Sequence, residues 1–219
     1  AKRGVINLLV ELNSDKTLNC VAISDNGIGL NGTHLKSFET CDTRQKYAIG
    51  GKGVGRLIWI KVFDDIHVKS TYEVGLDGHE AISFKFDPAL DDSLVDMHKS
   101  PGDGDQVGTQ IILGGIKAGQ SSEISRSLLA RHICHHFFPF FIAGSMPRLN
   151  VMFGRRDLDI GEYLSSKVEK QFEEIVDAKS ISVGKINISH AYVDKTISQE
   201  LSNAILLTAQ GRVVKSVEI

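Results

Sequence analysis

Two short glycine clusters hold the residue types and spacings from which chemistry can be read. The first, Asp25-Asn26-Gly27-Ile28-Gly29-Leu30, follows directly on the apolar run Val21-Ala22-Ile23-Ser24. A carboxylate at the end of a strand can accept from an exocyclic amine, and glycines without Cβ atoms let a flat base approach the backbone closely. The second, Gly50-Gly51-Lys52-Gly53-Val54-Gly55, runs straight into the apolar stretch from Leu57 to Val62. Glycine-rich backbone leading into a helix aims several N–H groups and the positive end of the helix dipole at one spot, which favours phosphate. Lys46, Lys52 and Arg56 are the basic residues best placed to meet that phosphate, Lys52 foremost. Together the two clusters would hold a nucleotide.

Other readings of the same residues are weaker. Gly27 to Gly32 spells G-x-G-x-x-G after a strand, but the dinucleotide fingerprint wants a helix beginning within it, and the polar stretch after Leu30 supplies none. Gly51-Lys52-Gly53 departs from the P-loop because glycine, rather than serine or threonine, follows the lysine. Either cluster alone reads most simply as a turn requiring positive φ; both at this spacing make coincidence a poor account. His132, His135 and His136 with Cys134 place two imidazoles on one helix face, as a metal site would. No carboxylate or second thiol stands nearby, and apolar neighbours dominate, so packing or solvent exposure is the preferred reading. The run Phe137-Phe138-Pro139-Phe140-Phe141 reads as core at a helix end.

Composition narrows the function classes. In 219 residues, 25 Lys plus Arg stand against 27 Asp plus Glu, a formal net charge of -2. No overall basic field attracts nucleic acid or anionic lipid, so a phosphate site must be local. The longest apolar run, Phe137 to Ala143, is broken by Pro139 and falls short of the roughly 20 residues of a membrane helix. Cys20, Cys41 and Cys134 form no CxxC pair, which fits reduced thiols. The expectation is a soluble, cytoplasmic protein with no membrane partner.

The elements that must position the clusters follow from periodicity and turn residues. Val5 to Leu12 and Leu18 to Ser24 read as an antiparallel hairpin around Asn13-Ser14-Asp15. Asp25 to Gly55 reads as a long polar loop over a binding surface, with a short helical possibility around Leu35 and Phe38. Leu35, Phe38, Tyr47 and Ile49 are nearly all its apolar anchoring, so Asn31 to Lys52 is expected to be loosely held until phosphate contacts at Gly51 to Gly55 order it. A buried helix is expected from Val54 to Phe63, then strands Ile66-Val68-Ser70-Tyr72 and Ile82-Phe84-Phe86 about the turn Asp77-Gly78. Asp87 to Gln106 reads as an acidic excursion and Val107 to Leu113 as a further strand. A helix capped by Ser122 carries Leu129, Ile133 and Phe137 and ends near Pro139. Beyond Gly144-Ser145 the pattern restarts: a strand from Leu149 to Phe153, a helix with Leu164, Val168 and Phe172 at every fourth residue, strands near Ile181 to Tyr192 and Ile205 to Ala209, and a strand-like tail from Val213. The expected organisation is an ATP-binding domain at 1–144 and a second α/β segment at 145–219.

Taken in order, Asp25 to Leu30, the long intervening loop, Ile49 to Gly55 and Gly108-Thr109 resemble the successive nucleotide-binding motifs of the GHKL ATPase superfamily. Its members include the ATPase component of DNA gyrase, heat-shock chaperone ATPases, histidine kinases and MutL mismatch-repair proteins. The resemblance implies a Bergerat-type α/β fold, a two-layer sandwich of a mixed, largely antiparallel sheet with helices on one face, followed by the start of a second α/β domain. It implies ATP and Mg2+ as cofactors, and a homodimer formed by nucleotide-dependent closure. By the same resemblance Asp25 would bond the adenine amine, and Gly27, Gly29 and Leu30 would line the base pocket. Gly51, Lys52, Gly53, Val54 and Gly55 would wrap the phosphates in an ATP lid, and Thr109 would hold a water beside the adenine. The family's first motif, a helix with a water-activating glutamate and a magnesium-binding asparagine four residues later, has no counterpart in Ala1 to Gly4. The expectation is that this helix has been lost upstream, so that the chain binds ATP but hydrolyses it near background while the full-length protein turns over. Ile205 to Val214 resembles the strand and turn opening the transducer-type domain of MutL-like and chaperone-like members. A histidine-kinase catalytic domain and a non-hydrolysing nucleotide-binding module stand as alternatives; the material after Ser145 argues against the first.

Overall fold

The computed structural model describes residues 4–39, 55–90, 92–102, 107–120, 123–166, 168–178, 184–193, 204–209 and 212–218. Lys46 and the phosphate-cluster residues Gly51, Lys52, Gly53 and Val54 lie outside the described residues. The chain divides into two compact units, Ala1–Arg126 with Pro147–Leu158, and Ser127–Met146 with Asp159–Ile219.

The first unit is built on one mixed sheet. β1 (Val5–Leu12) and β2 (Leu18–Asp25) form the expected hairpin, with Val10 opposite Val21. Its turn is closed by Asp15, whose Oδ1 accepts from the Thr17 amide at 3.0 Å and the Thr17 hydroxyl at 2.6 Å. β3 (Phe63–Val74), β4 (Gly78–Phe86), β5 (Leu94–Pro101) and β6 (Gly108–Ile116) follow, then β7 (Arg148–Phe153) and β8 (Arg156–Asp159). The order across the sheet is β5-β4-β3-β6-β2-β1-β7-β8. From β5 to β1 each neighbouring pair is antiparallel, whereas β7, which follows Gly144-Ser145, runs parallel to β1.

Alternation along β3 decides which face is buried: Ile66, Val68 and Tyr72 point to one side and His67 and Lys69 to the other. Onto the apolar side pack α1 (Gly32–Glu39) and α2 (Gly55–Val62), through Leu35 and Phe38 of the first and Trp59, Ile60 and Val62 of the second. The Phe38 ring meets Phe84 and Phe86 edge-on, at centroid distances of 5.5 and 5.2 Å. This is the expected two-layer α/β arrangement with helices on one face. The short helical possibility around Leu35 and Phe38 is a real helix, because those two residues share a face and bury it on the sheet.

Two local expectations need correction. Helix α2 is only partly buried: Leu57 and Ile58 are 46% and 64% exposed, because one stripe suffices to cover the sheet, and Phe63 already begins β3. The excursion from Asp87 to Gln106 contains β5, anchored by buried Leu94 and reaching β4 across a register shift between Ser83 and Lys85. Its charged, alternating composition is that of an edge strand.

In the second part of the chain, α3 (Arg126–Ile142) buries Ala130, Cys134, Phe138 and Ile142, a stripe one residue on from Leu129, Ile133 and Phe137, and it continues past Pro139. The Ser122 cap lies outside the described residues. α4 (Ile160–Ser165) is capped by Asp159, whose Oδ1 accepts from the Glu162 amide at 2.8 Å. The helix expected through Val168 and Phe172 stops at Ser165. From there β9 (Val168–Ala178) pairs antiparallel with β10 (Gly184–Val193), since Ile186 and Ile188 in β10 supply a β-forming partner that i, i+4 spacing does not reveal. β11 (Ala204–Ala209) and β12 (Arg212–Glu218) form a further hairpin. Among the described residues no helix is long and apolar enough to cross a membrane.

Cys134 is fully buried, and burial pushes its thiol up to about 11. A raised value protects the folded form while the thiol stays protonated. That contribution is present below pH 9.0, the ordinary thiol value, and is lost as pH rises toward about 11. Alkylation at pH 8 followed by peptide mapping should leave Cys134 unmodified in native protein and modify it in denaturant. Rapid native labelling would contradict this burial.

Candidate nucleotide site

The site is a polar row at the end of an apolar face. Ile66, Leu113 and Val21 lie opposite one another across β3, β6 and β2, and Val68, Ile111 and Ile23 form the next row. Two residues further along, the same parity brings Ser70, Thr109 and Asp25 into register. Directly opposed residues share a face, so these three side chains close the helix-covered core at its open end. Ser70 is 4% exposed, Thr109 half-buried and Asp25 exposed, a gradient from core to solvent.

Hydrogen bonds tie the loop after β2 to this row. Asn26 is fixed to β1, its Oδ1 accepting from the Val5 amide at 2.7 Å. Asp25 Oδ1 accepts from the Gly27 amide at 2.7 Å, an Asx turn that aims the carboxylate over its own loop. Gly29 has φ +73°, and a Cβ there would lie 2.3 Å from the Thr71 carbonyl oxygen. The loop therefore lies directly on β3, which only glycine permits. The next amide, Leu30 N, donates to Ser70 Oγ at 2.8 Å, and the Leu30 side chain packs on the core. Ser70 Oγ in turn donates to the Gly108 carbonyl at 2.9 Å and lies 3.0 Å from Thr109 Oγ1. Gly108 completes the contact, since a Cβ there would fall 2.0 Å from the Asp25 carbonyl oxygen.

The structure thus brings together Asp25, Gly27, Gly29, Leu30 and Thr109 from two segments far apart in the chain. Of the phosphate cluster, Gly55 is described and begins α2. Arg56 does not reach outward: it is 8% exposed, its guanidinium lies 4.9 Å over the Phe38 ring, and Nη2 donates to the Ser37 carbonyl at 3.5 Å. Sequence reasoning missed Ser70 as a site residue; its one local trace is a polar side chain between Val68 and Tyr72 on the buried side of β3. It also missed Asn31, whose Oδ1 accepts from the His34 amide at 3.1 Å and caps α1.

That cap revises the dinucleotide reading. A helix does begin at the third glycine of Gly27 to Gly32, contrary to expectation. The fingerprint still fails, because β2 has antiparallel neighbours on both sides and opens no βαβ unit among the described residues. Among the described residues no three His, Cys, Asp or Glu groups are placed to hold a metal ion. The histidine cluster on α3 does not assemble either, with Cys134 buried and the His136 ring 4.9 Å from Phe137.

No family model matches the chain, and no curated protein matches it. Among solved structures the chain is similar to the N-terminal domain of a DNA repair protein, with TM-score 0.49, 11% identity and coverage of 86% of this chain. It is also similar to the ATPase region of Saccharomyces cerevisiae topoisomerase II, with TM-score 0.44, 12% identity and coverage of 77% of this chain. The chain spans 63% of the first of these and 49% of the second.

Proposed function

We propose that the chain is the adenine-nucleotide-binding part of a GHKL-type ATPase that couples ATP to lid closure and to conformational change or dimerisation. The reading is carried by the row of Asp25, Thr109 and Ser70, reached by a loop that Gly29 allows to lie on β3. In this reading Asp25 accepts from the adenine amine, and Gly27, Gly29 and Leu30 form the wall against the base. The amides of Gly51, Gly53 and Gly55, with Val54 and Lys52, take the phosphates at the start of α2. The motif order in the sequence supports the same assignment. Magnesium would neutralise phosphate charge when bound with the nucleotide. Lid ordering on phosphate contact is the bistable step, and two copies joining on closure is the proposed assembly.

Calorimetric titration of the 219-residue chain should show ATP binding, with GTP weaker by at least about tenfold because a keto oxygen would face the Asp25 carboxylate. Equal binding of the two, or binding of neither, overturns the reading.

A further inference from the structure

We infer that Ser70 is the positioning residue of the base pocket: one buried hydroxyl on β3 ties the loop after β2 to the first residue of β6, so the two walls that would receive adenine are joined before the base enters. This rests on the proposed adenine site and names the residue that holds its shape. The loop leaves β2 at Asp25, passes the end of β6 at Gly108 and comes down on β3 at Gly29. Among the described residues, a single hydrogen bond ties Gly27–Leu30 to another strand, the one from the Leu30 amide to Ser70 Oγ at 2.8 Å. The same hydroxyl donates to the Gly108 carbonyl at 2.9 Å and lies 3.0 Å from Thr109 Oγ1. One side chain therefore holds both walls.

Ser70 is 4% exposed, so bulk water does not compete for these bonds. They are made within the chain and need no ligand. A pocket whose walls are fixed in advance binds without the entropic cost of ordering them, and that cost otherwise comes out of the affinity. With alanine at this position the Leu30 amide and the Gly108 carbonyl would face a methyl group, and the amide regains a partner only when the loop lifts into water. Ser70 need not touch the base; it acts through the Leu30 amide on one wall and through Gly108 on the other. Its effect falls on the half of the site formed by Asp25, Leu30 and Thr109, which in the proposed site is the half that meets the base.

The test follows binding of adenosine and of ATP together with hydrogen exchange of the Leu30 amide, both read by NMR. In the wild-type chain without nucleotide, the Leu30 amide should exchange at least about tenfold more slowly than that of exposed Ile28. Fast exchange at Leu30 in that sample overturns the inference, and this result is available even where Ser70→Ala does not fold. In Ser70→Ala the Leu30 protection should be lost, and adenosine and ATP should both weaken by about tenfold, leaving their ratio unchanged. Ser70→Thr keeps the hydroxyl on a strand position suited to a β-branched residue, and protection and affinity should return together. A purely structural serine predicts a lower urea midpoint with the affinity of the folded chain unaltered, and that outcome overturns the inference. Weaker binding with Leu30 still protected, or a loss confined to ATP with adenosine unchanged, does the same. Wild-type binding of neither ligand removes the adenine reading itself, and this inference with it.

Discussion

Asp25→Asn is expected to lower adenine-nucleotide affinity by about tenfold to a hundredfold. A bond from a neutral amine to a carboxylate contributes about 1.5–3 kcal/mol, more than a neutral pair does. Asparagine is nearly the same size, and its carbonyl can still accept from the Gly27 amide as Asp25 Oδ1 does at 2.7 Å. The Asx turn and the loop should therefore persist, and the loss falls on the ligand. With the asparagine carbonyl held by the Gly27 amide, its NH2 group takes the other position and meets the adenine amine donor to donor. Calorimetry with ATP, alongside circular dichroism to show the fold intact, reads the effect. Unchanged affinity in a folded variant would remove Asp25 from the base pocket and leave the polar row without its assigned ligand.

How far such a site can be read in advance depends on which residues announce their partners. The β1–β2 hairpin and the strand holding Ser70 are legible because alternation and turn residues are local signals. Asp25 and Thr109 can be named from motif order, but their direct opposition is a fact of strand order: β6 inserts between β3 and β2, and nothing local in the chain specifies that. Ser70 escapes a sequence reading for the opposite reason. A serine in an alternating strand looks like tolerance, and only the amide of Leu30 and the carbonyl of Gly108, 40 and 38 residues away, reveal that its hydroxyl is fully used. Arg56 reads as a phosphate ligand from its position after the glycines, whereas the aromatic ring of Phe38 and the end of α1 engage it. The helix expected through Val168 and Phe172 fails because a four-residue repeat of apolar residues also fits a strand, in which residues an even number of places apart share one face, and pairing with β10 decides the matter.

Gly29→Ala should be the most damaging small substitution in the site, with a stability loss of about 2–4 kcal/mol and nucleotide binding weakened by roughly a hundredfold or more. Two costs combine. At φ +73° an alanine sits in the left-handed region, worth about 1–2 kcal/mol for a residue with a Cβ. Its methyl would also lie 2.3 Å from the Thr71 carbonyl oxygen and 3.0 Å from Tyr72 Cβ. Neither neighbour can give way easily, since Thr71 is paired with Ala81 on one side and Gly108 on the other. The loop must lift instead, which pulls the Leu30 amide from Ser70 and so releases the residue that orders the row. Gly32→Ala is the matched control: no atom lies within 4 Å of a Cβ there, the glycine lies at the start of α1, and alanine favours helix by about 0.8–1.0 kcal/mol. Urea denaturation and calorimetry on the two variants should therefore separate them, Gly32→Ala neutral or stabilised and Gly29→Ala weakened in both. Equal behaviour would mean that the loop does not press on β3, and the close approach of base to backbone would lose its physical basis.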